Sequence, residues 1–546
     1  MTKQSAVAAA AGFVLLTLAA AQFLMTLDSS VMNVSIATVA NDLGTTVTGI
    51  QTAITMYTLV MATTMITGGK IGTIIGRRRA FSIGCLIYGA GSFTTALAPN
   101  LPVLLLGWSL LEGLGAALIL PAVVALVAGN FAPDGRARAY GMIASAGAVA
   151  VAVGPLLGGL VTTYFSWRYV FAGEVVIVLG ILLLARRIHD APPPERRPKL
   201  DLVGAALSAL GLGLIVFGVL RSSEWGWVKP KPGGMSWLGV APTLWVLIVG
   251  GLVLYLFMHW ELRLEERHAE PLVTPSLLKN HQLVAGLTTF FFQSLLLAGV
   301  FFVVPLFLSV ALGLTALETG VRILPLSAAL LVAAIGIPRL WPLASPRRFV
   351  RVGLLFVLGG IIVLIAGIDI DSSAKVVAIP MLLLGLGIGS LASQLGAVTV
   401  SAVPDDDAAE VGGLQNTATN LGASLGTALA GSVLIAVLTS AFLLGIQQNA
   451  AIPQQVKSRA DVKLAAGVPF VSDTSLEDAM RKASATAAVT NAAVDVNRRA
   501  RIEGLSSALS VMALLAVVAL FFTRGIPKIQ PGAAAATGPP EADAAA

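Results

Sequence analysis

The sequence predicts an all-α polytopic membrane protein with fourteen membrane spans. Of its 546 residues, 56% are hydrophobic and 12% are charged, which is about half the charged share of a soluble globular domain. Fourteen apolar runs of about 20 residues, the length that crosses a bilayer, follow one another along the chain. Lys and Arg concentrate in alternate loops. These observations exclude a water-soluble fold.

The predicted spans are defined by their apolar composition. The runs lie near residues 12–34, 48–67, 80–98, 102–127, 139–162, 169–186, 203–220, 240–260, 283–310, 318–337, 349–368, 375–401, 411–441 and 505–523. The first run, at about 22 residues, is too long for a signal-peptide core and favours a retained first span. An even number of spans places both termini on one side of the membrane.

Basic residues predict which side that is. With the N-terminus inside, the inner loops contain Arg77, Arg78, Arg79, Arg136, Arg138, Arg186, Arg187, Arg196, Arg197, Lys199, Arg263, Arg267, Lys279, Arg339, Arg347, Arg348 and Arg351. The short outer loops contain only Arg168, Arg221, Lys229, Lys231 and Lys375. The positive-inside rule therefore predicts a cell (inner) membrane protein with both termini in the cytoplasm. It also accounts for the net charge of +7 without a nucleic-acid partner.

Two charged inner segments divide the chain. A proline-rich linker at 187–202 follows the sixth span, and a charged stretch at 261–281 follows the eighth. We predict an N-terminal six-span bundle, inner linkers with two extra spans, and a C-terminal six-span bundle, at residues 1–186, 187–281 and 282–523. This arrangement suits a transporter built from two bundles that move about a central site.

Two further segments fall outside the spans. A long outer loop is predicted at about 445–503, where Thr474 and Glu477 have the spacing of a capping box and favour an amphipathic helix. A partly ordered hydrophilic loop is the alternative there. The tail at 524–546 is rich in Ala, Gly and Pro and is predicted to be disordered.

The loop after the second span carries a recognisable motif. Its sequence from Gly68 to Arg79 is GGKIGTIIGRRR, which resembles the Gly-x-x-x-Asp-Arg-x-Gly-Arg-Arg signature of the major facilitator superfamily. The resemblance assigns the inner-loop motif to Gly69, Gly76, Arg77 and Arg78. Thr73 stands where the family has Asp, so the charge relay of that loop is in question here.

Three other stretches resemble the fourteen-span drug:proton antiporter branch of that family. They are residues 27–34 of span one, residues 154–159 with 167–171 around spans five and six, and residues 412–426 of span thirteen. The resemblance implies an antiporter motif at Gly154, Pro155, Gly158 and Gly159. These residues either seal the transport cavity or serve only to pack a kinked helix closely against a neighbour.

Three acids interrupt apolar spans: Asp28, Glu112 and Glu174. Even the lenient insertion scale assigns about 2.5–3.5 kcal/mol to an ionised Asp at a helix centre, so a chain keeps such a residue only where it is paired, wet or functional. We predict that these three bind and release protons. The alternatives are structural: Asp28 caps a helix or bonds a neighbouring one, Glu112 bonds Ser109 or a backbone group, and Glu174 lies on a span that is usually peripheral in the fold that the resemblance implies. In span four the arginine usual in the family is missing, and Glu174 replaces an Asn common in relatives.

The leading functional prediction is a proton-coupled exporter of small amphipathic or cationic organic compounds, working by alternating access. The alternative is an exporter or flippase of a lipid or cell-envelope precursor in the same fold, with the loop at 445–503 handing cargo to a periplasmic partner. No phosphate-binding loop or catalytic constellation occurs, which argues against an ATP-driven pump or an enzyme. The expected partners are protons, membrane lipid and the substrate, with no cofactor beyond the proton gradient. Four scattered His and one Cys predict no metal site.

Overall fold

A computed structural model describes residues 3–131, 133–190, 199–231, 235–341, 344–404, 408–450, 452–454, 457, 470–483 and 485–530. Within these ranges the regular structure is helical, apart from one isolated bridge between Trp237 and Val240. Parts of three predicted segments lie outside the described residues. They are 191–198 of the linker, most of 451–469 in the outer loop, and 531–546 of the tail.

Fourteen long helices follow one another in the described chain. Their bounds are α1 Lys3–Asp42, α2 Val47–Ile75, α3 Arg77–Ala96, α4 Leu101–Asn130 with a π-helical segment at Leu105–Glu112, α5 Pro133–Tyr164, α6 Arg168–Ala185, α7 Leu202–Trp225, α8 Pro242–Glu266, α9 His281–Leu306 with a π-helical end at Phe307–Ala311, α10 Ala316–Leu340, α11 Pro346–Gly367, α12 Ala378–Val400, α13 Ala408–Gln448 and α14 Ala487–Phe522.

The predicted polytopic fold is confirmed. Thirteen helices in the described ranges are long and apolar enough to cross a membrane. The helix α3 is less apolar because it begins with three arginines and carries several small and hydroxylated residues. Its 20 residues nevertheless reach about 30 Å, the thickness of the hydrocarbon core. The predicted count of fourteen spans is consistent with thirteen apolar helices together with α3.

The last span begins earlier than the sequence predicts. Helix α14 starts at Ala487 rather than near residue 505, so the predicted loop at 445–503 contracts to the connection between Gln448 and Ala487. The first half of α14 contains arginines that lower its apolar character. It is helical because it packs against α13, where a Cβ on Gly445 would lie 2.6 Å from Val496. A short helix, Asp473–Lys482, precedes it, as predicted, but its N-cap is Ser472 rather than Thr474.

Helices α1–α6 and helices α9–α14 each pack mainly among themselves. In the first group α1 packs on α5, and α3 packs on α4 and α6; in the second, α9 packs on α13, and α12 packs on α10 and α11. Helices α7 and α8 pair with each other, and α7 also contacts α2 and α13. We call the first group the N-bundle and the second the C-bundle. They meet mainly through two helix pairs, α2 with α13 and α5 with α10, with smaller contacts of α1 with α9 and α10 and of α4 with α13.

Hydrogen bonds join the two bundles towards one side. We call the side that holds the start of α1 and the end of α14 the terminal face, and the other side the opposite face. Near the opposite face, Gln51 donates its side-chain amide to the carbonyls of Thr427 and Ala428, at 3.2 and 3.3 Å. On the α5–α10 side the backbone amide of Leu317 donates to Thr163 Oγ1 at 3.0 Å. These bonds hold the bundles together at the opposite face.

A buried arginine fixes the segment before α14. Arg501 is 2% exposed and donates to the carbonyls of Val310, at 3.2 Å, and Val471, at 2.9 Å. Its guanidinium also forms an ion pair with Asp473, the first residue of the short helix. One side chain on α14 therefore ties the end of α9 to the connection that precedes α14.

We expect Asp473→Ala to lower the melting temperature of the purified protein. The substitution leaves the buried Arg501 guanidinium without its counter-ion, and breaking such a pair costs about 3–5 kcal/mol. Thermal unfolding in detergent, followed by tryptophan fluorescence, measures the effect. Asp478→Ala is the matched control, because Asp478 is 63% exposed on the same short helix. Equal melting temperatures for the two variants would contradict the anchoring role.

Candidate functional site

Three carboxyl groups meet inside the N-bundle. Asp28 of α1, Glu112 of α4 and Glu174 of α6 each place a carboxylate oxygen within 4.8 Å of the other two. Their exposed fractions are 0%, 0% and 1%. The sequence singled out all three separately, and the structure brings them into one cluster, which we call the acid cluster. Glu174 belongs to it because α3 packs between α4 and α6 and draws the two helices together.

Each acid accepts one side-chain hydrogen bond from a neighbouring helix. Trp108 Nε1 donates to both carboxylate oxygens of Asp28, at 2.8 and 2.9 Å. Thr95 Oγ1 lies 3.2 Å from Glu112 Oε1, and Ser92 Oγ lies 3.1 Å from Glu174 Oε2. Each of these bonds joins two helices, as the structural alternative for Asp28 expects, whereas Glu112 bonds Thr95 of α3 rather than Ser109. A role of the three acids in proton binding stays a prediction.

The acid cluster retains unused hydrogen-bonding capacity. Glu112 Oε2 and Glu174 Oε1 are buried and have no hydrogen-bond partner among the described residues. The hydroxyls of Tyr57 and Tyr88 are buried and unpartnered in the same way. Tyr57 stacks on Trp108, with ring centroids 5.0 Å apart and planes 8° from parallel. Buried polar atoms are usually satisfied, so this concentration of unsatisfied oxygens marks a site where protons or a ligand can be accommodated.

No basic side chain in the described chain forms an ion pair with the acid cluster. Full ionisation would therefore place three negative charges within 4.8 Å of one another, away from water. Like charges at such a separation repel strongly, because the bundle interior screens them far less than water does. The cluster is electrostatically stable only when protons or a cation reduce its charge.

Local sequence explains how the cluster forms. Tyr88, Ser92 and Thr95 fall at positions i, i+4 and i+7 of α3 and share one helix face. Helix α4 approaches this face closely, since a Cβ on Gly91 would lie 2.6 Å from Glu112 Cγ. Trp108 and Glu112 both lie on the π-helical segment of α4, a local widening of the helix that is frequent at functional sites.

The sequence missed the polar neighbours of the acids. Trp108 stands one turn before Glu112, and the stripe of hydroxyls on α3 repeats at helical spacing, so both signals were present in the sequence. Neither signal shows which acid each side chain contacts, because the distances between α3, α4 and α6 depend on tertiary packing.

The predicted antiporter motif lies where α5 packs closely against α1 on one side and α10 on the other. A Cβ on Gly154 would lie 2.5 Å from Ser30 Cβ, and one on Gly158 would lie 2.9 Å from Val31 Cα. On the other side of α5, a Cβ on Gly159 would lie 2.6 Å from the carbonyl oxygen of Ala316. Pro155 lies within the helix and contacts α10 through its carbonyl oxygen. The motif therefore allows close helix packing on both sides of α5, and a role in gating stays a prediction.

The inner-loop motif is completed by an acid from another part of the chain. Gly76 has φ +100°, a conformation that favours glycine. The backbone amides of Arg77 and Arg78 donate to Asp190 Oδ1, at 3.1 and 3.3 Å. Asp190 follows α6 and caps α3, whereas Thr73 bonds only to the carbonyl of Gly69 in its own helix. The missing acid of the motif is thus partly replaced by an acid that sequence reasoning did not identify.

The side chains of Arg77 and Arg78 hold this loop to its neighbours. Arg77 Nη1 donates to the carbonyl of Ala125 on α4, at 3.2 Å, and Arg78 Nη1 donates to the carbonyl of Ile188 after α6, at 3.3 Å. Gly69 faces Pro121 of α4, where an added Cβ would be in ordinary contact at 3.4 Å. The motif anchors α3, α4 and α6 at the terminal face.

A second anchor lies at the opposite face. Trp167 Nε1 donates to Asp42 Oδ2 at 2.9 Å, and Arg168 forms an ion pair with the same carboxylate. Arg168 also donates to the carbonyl of Ala98 at 2.8 Å. The Trp-Arg pair that opens α6 therefore joins α1, α6 and the α3–α4 loop. It thereby fixes α1, α3, α4 and α6, the four helices that carry or support the acid cluster.

Comparison with known proteins identifies the family. The sequence model described as Major Facilitator Superfamily matches residues 18–427. The chain therefore belongs to the major facilitator superfamily and is a membrane transporter. The family predicted from the loop and span motifs is confirmed.

Among curated relatives, the puromycin resistance protein of Streptomyces alboniger is 30% identical over 424 residues, which cover 77% of this chain and 81% of that protein. The cephamycin export protein of Amycolatopsis lactamdurans is 30% identical, covering 75% and 82%. A multidrug resistance protein of Mycobacterium tuberculosis is 26% identical, covering 77% and 75%.

Solved structures share the fold at low sequence identity. A bacterial homologue of the human lysosomal transporter Spinster superposes with a TM-score of 0.56 at 16% identity, covering 94% of this chain and 98% of that one. A peptide transporter of the POT family gives 0.57 at 15% identity, covering 94% and 96%. These similarities establish the architecture alone.

We expect Trp108→Phe and Asp28→Asn to interact in a double-mutant cycle of thermal stability. Trp108→Phe keeps a stacked ring opposite Tyr57 but removes the only indole donor to Asp28. Losing a hydrogen bond to a buried acid costs about 1.5–3 kcal/mol. Because Asp28→Asn changes the same contact, the double variant should lose less stability than the sum of the single variants. Strict additivity would contradict a direct role for this bond, and Trp341→Phe, at an exposed position, is the control.

Proposed function

We propose that the protein is a proton-coupled exporter of small amphipathic or cationic organic compounds, and that the acid cluster carries the coupling proton. The supporting observation is the cluster itself: three buried carboxyls within 4.8 Å and no ion-paired cation in the described chain. Curated relatives named for antibiotic resistance and export support the substrate class. No cofactor is required in this proposal beyond the transmembrane proton gradient.

Protons neutralise the cluster at the lowest structural cost. Two carboxyl groups that share a site retain a proton between them because both cannot ionise together, and here a third acid adds to the repulsion. Losing a proton from this cluster creates unscreened charge among Asp28, Glu112 and Glu174. The charge is relieved by taking up a new proton or by opening the bundle to water.

The burial of the cluster makes conformational change part of the mechanism. The three acids are sealed in this conformation, so protons reach them only when the helices of the N-bundle separate. In the proposed cycle the cluster loads a proton from outside and releases it inside, while the substrate crosses in the other direction. In this proposal both termini, and hence the terminal face, lie in the cytoplasm, as the distribution of basic residues predicts.

The location of the cluster implies indirect coupling. All three acids lie on helices of one bundle, and their side-chain hydrogen-bond donors lie on α3 and α4 of the same bundle. A proton there acts on helix packing, rather than by competing directly with a substrate held between the bundles.

Helix α5 links the cluster to the other bundle. Asp28 is on α1, and α1 joins α5 through a hydrogen bond of 2.8 Å between Ser35 and Thr162. The next residue, Thr163, accepts the backbone amide of Leu317 on α10. A small displacement of α1 on deprotonation therefore reaches α10 through two adjacent threonines and the glycines of the antiporter motif.

The lipid or cell-envelope precursor alternative remains a second substrate class for the same cycle. Its predicted handover to a partner outside the cell would involve the connection between Gln448 and Ala487, whose described part is tied down by Arg501. Transport assays with cationic dyes and with a fluorescent phospholipid distinguish small cationic substrates from lipid substrates.

We expect Asp28→Asn, Glu112→Gln and Glu174→Gln each to reduce pH-driven export. In proteoliposomes, ethidium or puromycin movement is measured while an imposed pH gradient drives proton entry opposite to the substrate. Loss of one titrating acid should lower the coupled rate by about tenfold or more, the factor that corresponds to about 1.4 kcal/mol. Each variant changes one carboxyl to an amide of the same shape.

Glu261→Gln is the matched control for these variants, because Glu261 is a fully buried carboxyl on α8 outside the cluster. It should transport as the unmodified protein does. Full pH-driven transport by all three cluster variants would refute the proposed proton site. Transport driven equally well by a sodium gradient at a single clamped pH would refute proton coupling.

We expect Gly159→Leu to uncouple transport while leaving the protein folded. A side chain at this position must push α10 away from α5, because its Cβ would lie 2.6 Å from the Ala316 carbonyl oxygen. The bundles would then close poorly at the opposite face, and the vesicles would leak protons when no substrate is present. Gly180→Leu is the control, since nothing lies within 4 Å of a Cβ at Gly180. A Gly159→Leu protein with tight, fully coupled transport would contradict a gating role for the motif.

A further inference from the structure

A cationic cleft lies at the terminal face of the C-bundle, outside the sites described so far. It is a cavity of ≈ 760 Å³ between the start of α11 and the chain that follows α14. Four basic side chains line it: Arg347, Arg348, Arg351 and Lys528. Its lining contains no acid, and none of the four forms an ion pair in the described chain. We call it the α11 cleft.

Two of its arginines are held in place through one nitrogen each. Arg347 Nε donates to the carbonyl of Ile526 at 2.6 Å, and Arg351 Nε donates to Thr523 Oγ1 at 2.9 Å. Their terminal Nη groups donate to no residue that the structure describes. A guanidinium fixed in this way presents its remaining N–H groups as a fork, which matches the oxygens of a phosphate.

The wall of the cleft is apolar and faces outward. Phe349 and Val352 line it, Val352 is 47% exposed, and Leu355 is 54% exposed further along α11. In a membrane-spanning helix, such residues contact lipid chains. The charged part of the cleft therefore lies at the membrane interface, and its apolar part continues along the hydrocarbon core. This combination fits a phosphate attached to acyl chains better than a free anion.

The N-bundle contains a similar arrangement at the equivalent place. There, Arg78 and Arg79 at the start of the third helix and Arg186 after the sixth line a cleft of ≈ 470 Å³, beside the exposed apolar residues Ile83 and Leu86. Helices α11 and α14 are likewise the third and sixth of the C-bundle. Asp190 caps α3 close to the first cleft, so the α11 cleft is the more strongly cationic of the two.

We propose that the α11 cleft binds the phosphate-bearing headgroup of an anionic phospholipid from the leaflet at the terminal face. Arg347 and Arg351 hold the phosphate, Arg348 and Lys528 add positive charge, and an acyl chain lies along Val352 and Leu355. Basic pockets between helices at the cytoplasmic side of a membrane are suited to such headgroups. The bound lipid joins α11 to the end of α14 and is independent of the acid cluster.

Native mass spectrometry of the full chain tests this proposal. The protein is titrated in detergent with phosphatidylglycerol and, separately, with phosphatidylcholine. We expect phosphatidylglycerol to be retained at least about tenfold more tightly, because only it carries a net negative charge. Equal retention of the two lipids by the unmodified protein would overturn the proposal without the need for any variant.

Variants then locate the bound lipid. Arg348→Gln combined with Lys528→Gln removes two exposed charges that make no hydrogen bond within the described chain, so the fold should persist. We expect the number of tightly retained phosphatidylglycerol molecules to fall by one. The control combines Arg263→Gln with Arg267→Gln, two exposed charges near the end of α8, and should retain the full number. Unchanged retention in the cleft variant would overturn the proposal.

Inorganic phosphate separates a lipid site from an anion site. At millimolar concentration it should neither displace phosphatidylglycerol nor raise the melting temperature. Displacement by phosphate would show that the cleft takes a free anion, and the lipid assignment would fail.

Discussion

The burial of three carboxyl groups that have no basic partner among the described residues is the constraint on which the N-bundle depends. An apolar bundle tolerates Asp28, Glu112 and Glu174 within 4.8 Å of one another only if protons neutralise part of their charge and hydrogen-bond donors meet the rest. The donors come from three places on two helices: Trp108 on the π-helical segment of α4, and Ser92 and Thr95 on α3. These groups are brought together by the close approach of α3 to α4, by the π-helical segment of α4 and by the anchoring of α6.

The same constraint links proton binding in the acid cluster to movement of the helices. In the proposed mechanism, a proton bound inside one bundle affects a substrate held between the bundles through the packing of the helices. Helix α5 has the required position, because it contacts α1 on one side and α10 on the other at distances that only glycine permits. The motif whose sequence resembles that of antiporters therefore packs against α1, which carries Asp28, and its close packing is what supports the proposed role in gating.

Much of this architecture is predictable from sequence because the bilayer fixes the length and polarity of each span. The acids were identifiable for the same reason, since a charge inside an apolar run is rare. The proximity of Glu174 to Asp28 and Glu112 was not predictable, because it depends on how α3 packs between α4 and α6. The start of α14 was missed because Arg498, Arg499 and Arg501 make its first half polar. In the structure, Arg498 and Arg501 both pair with Asp473, a contact that the sequence does not reveal. Asp190 was missed because it is distant in sequence from the loop that it caps.

The acid cluster is proposed to exchange protons when substrate binds, and proton release on substrate binding is the direct measure of that exchange. Purified protein in a weakly buffered solution with a pH indicator is mixed with a transported dye, and the released protons are counted. We expect release from the unmodified protein and none from the variant that combines Asp28→Asn, Glu112→Gln and Glu174→Gln, with dye binding retained. Equal release from the triple variant would show that the coupling proton resides elsewhere in the molecule.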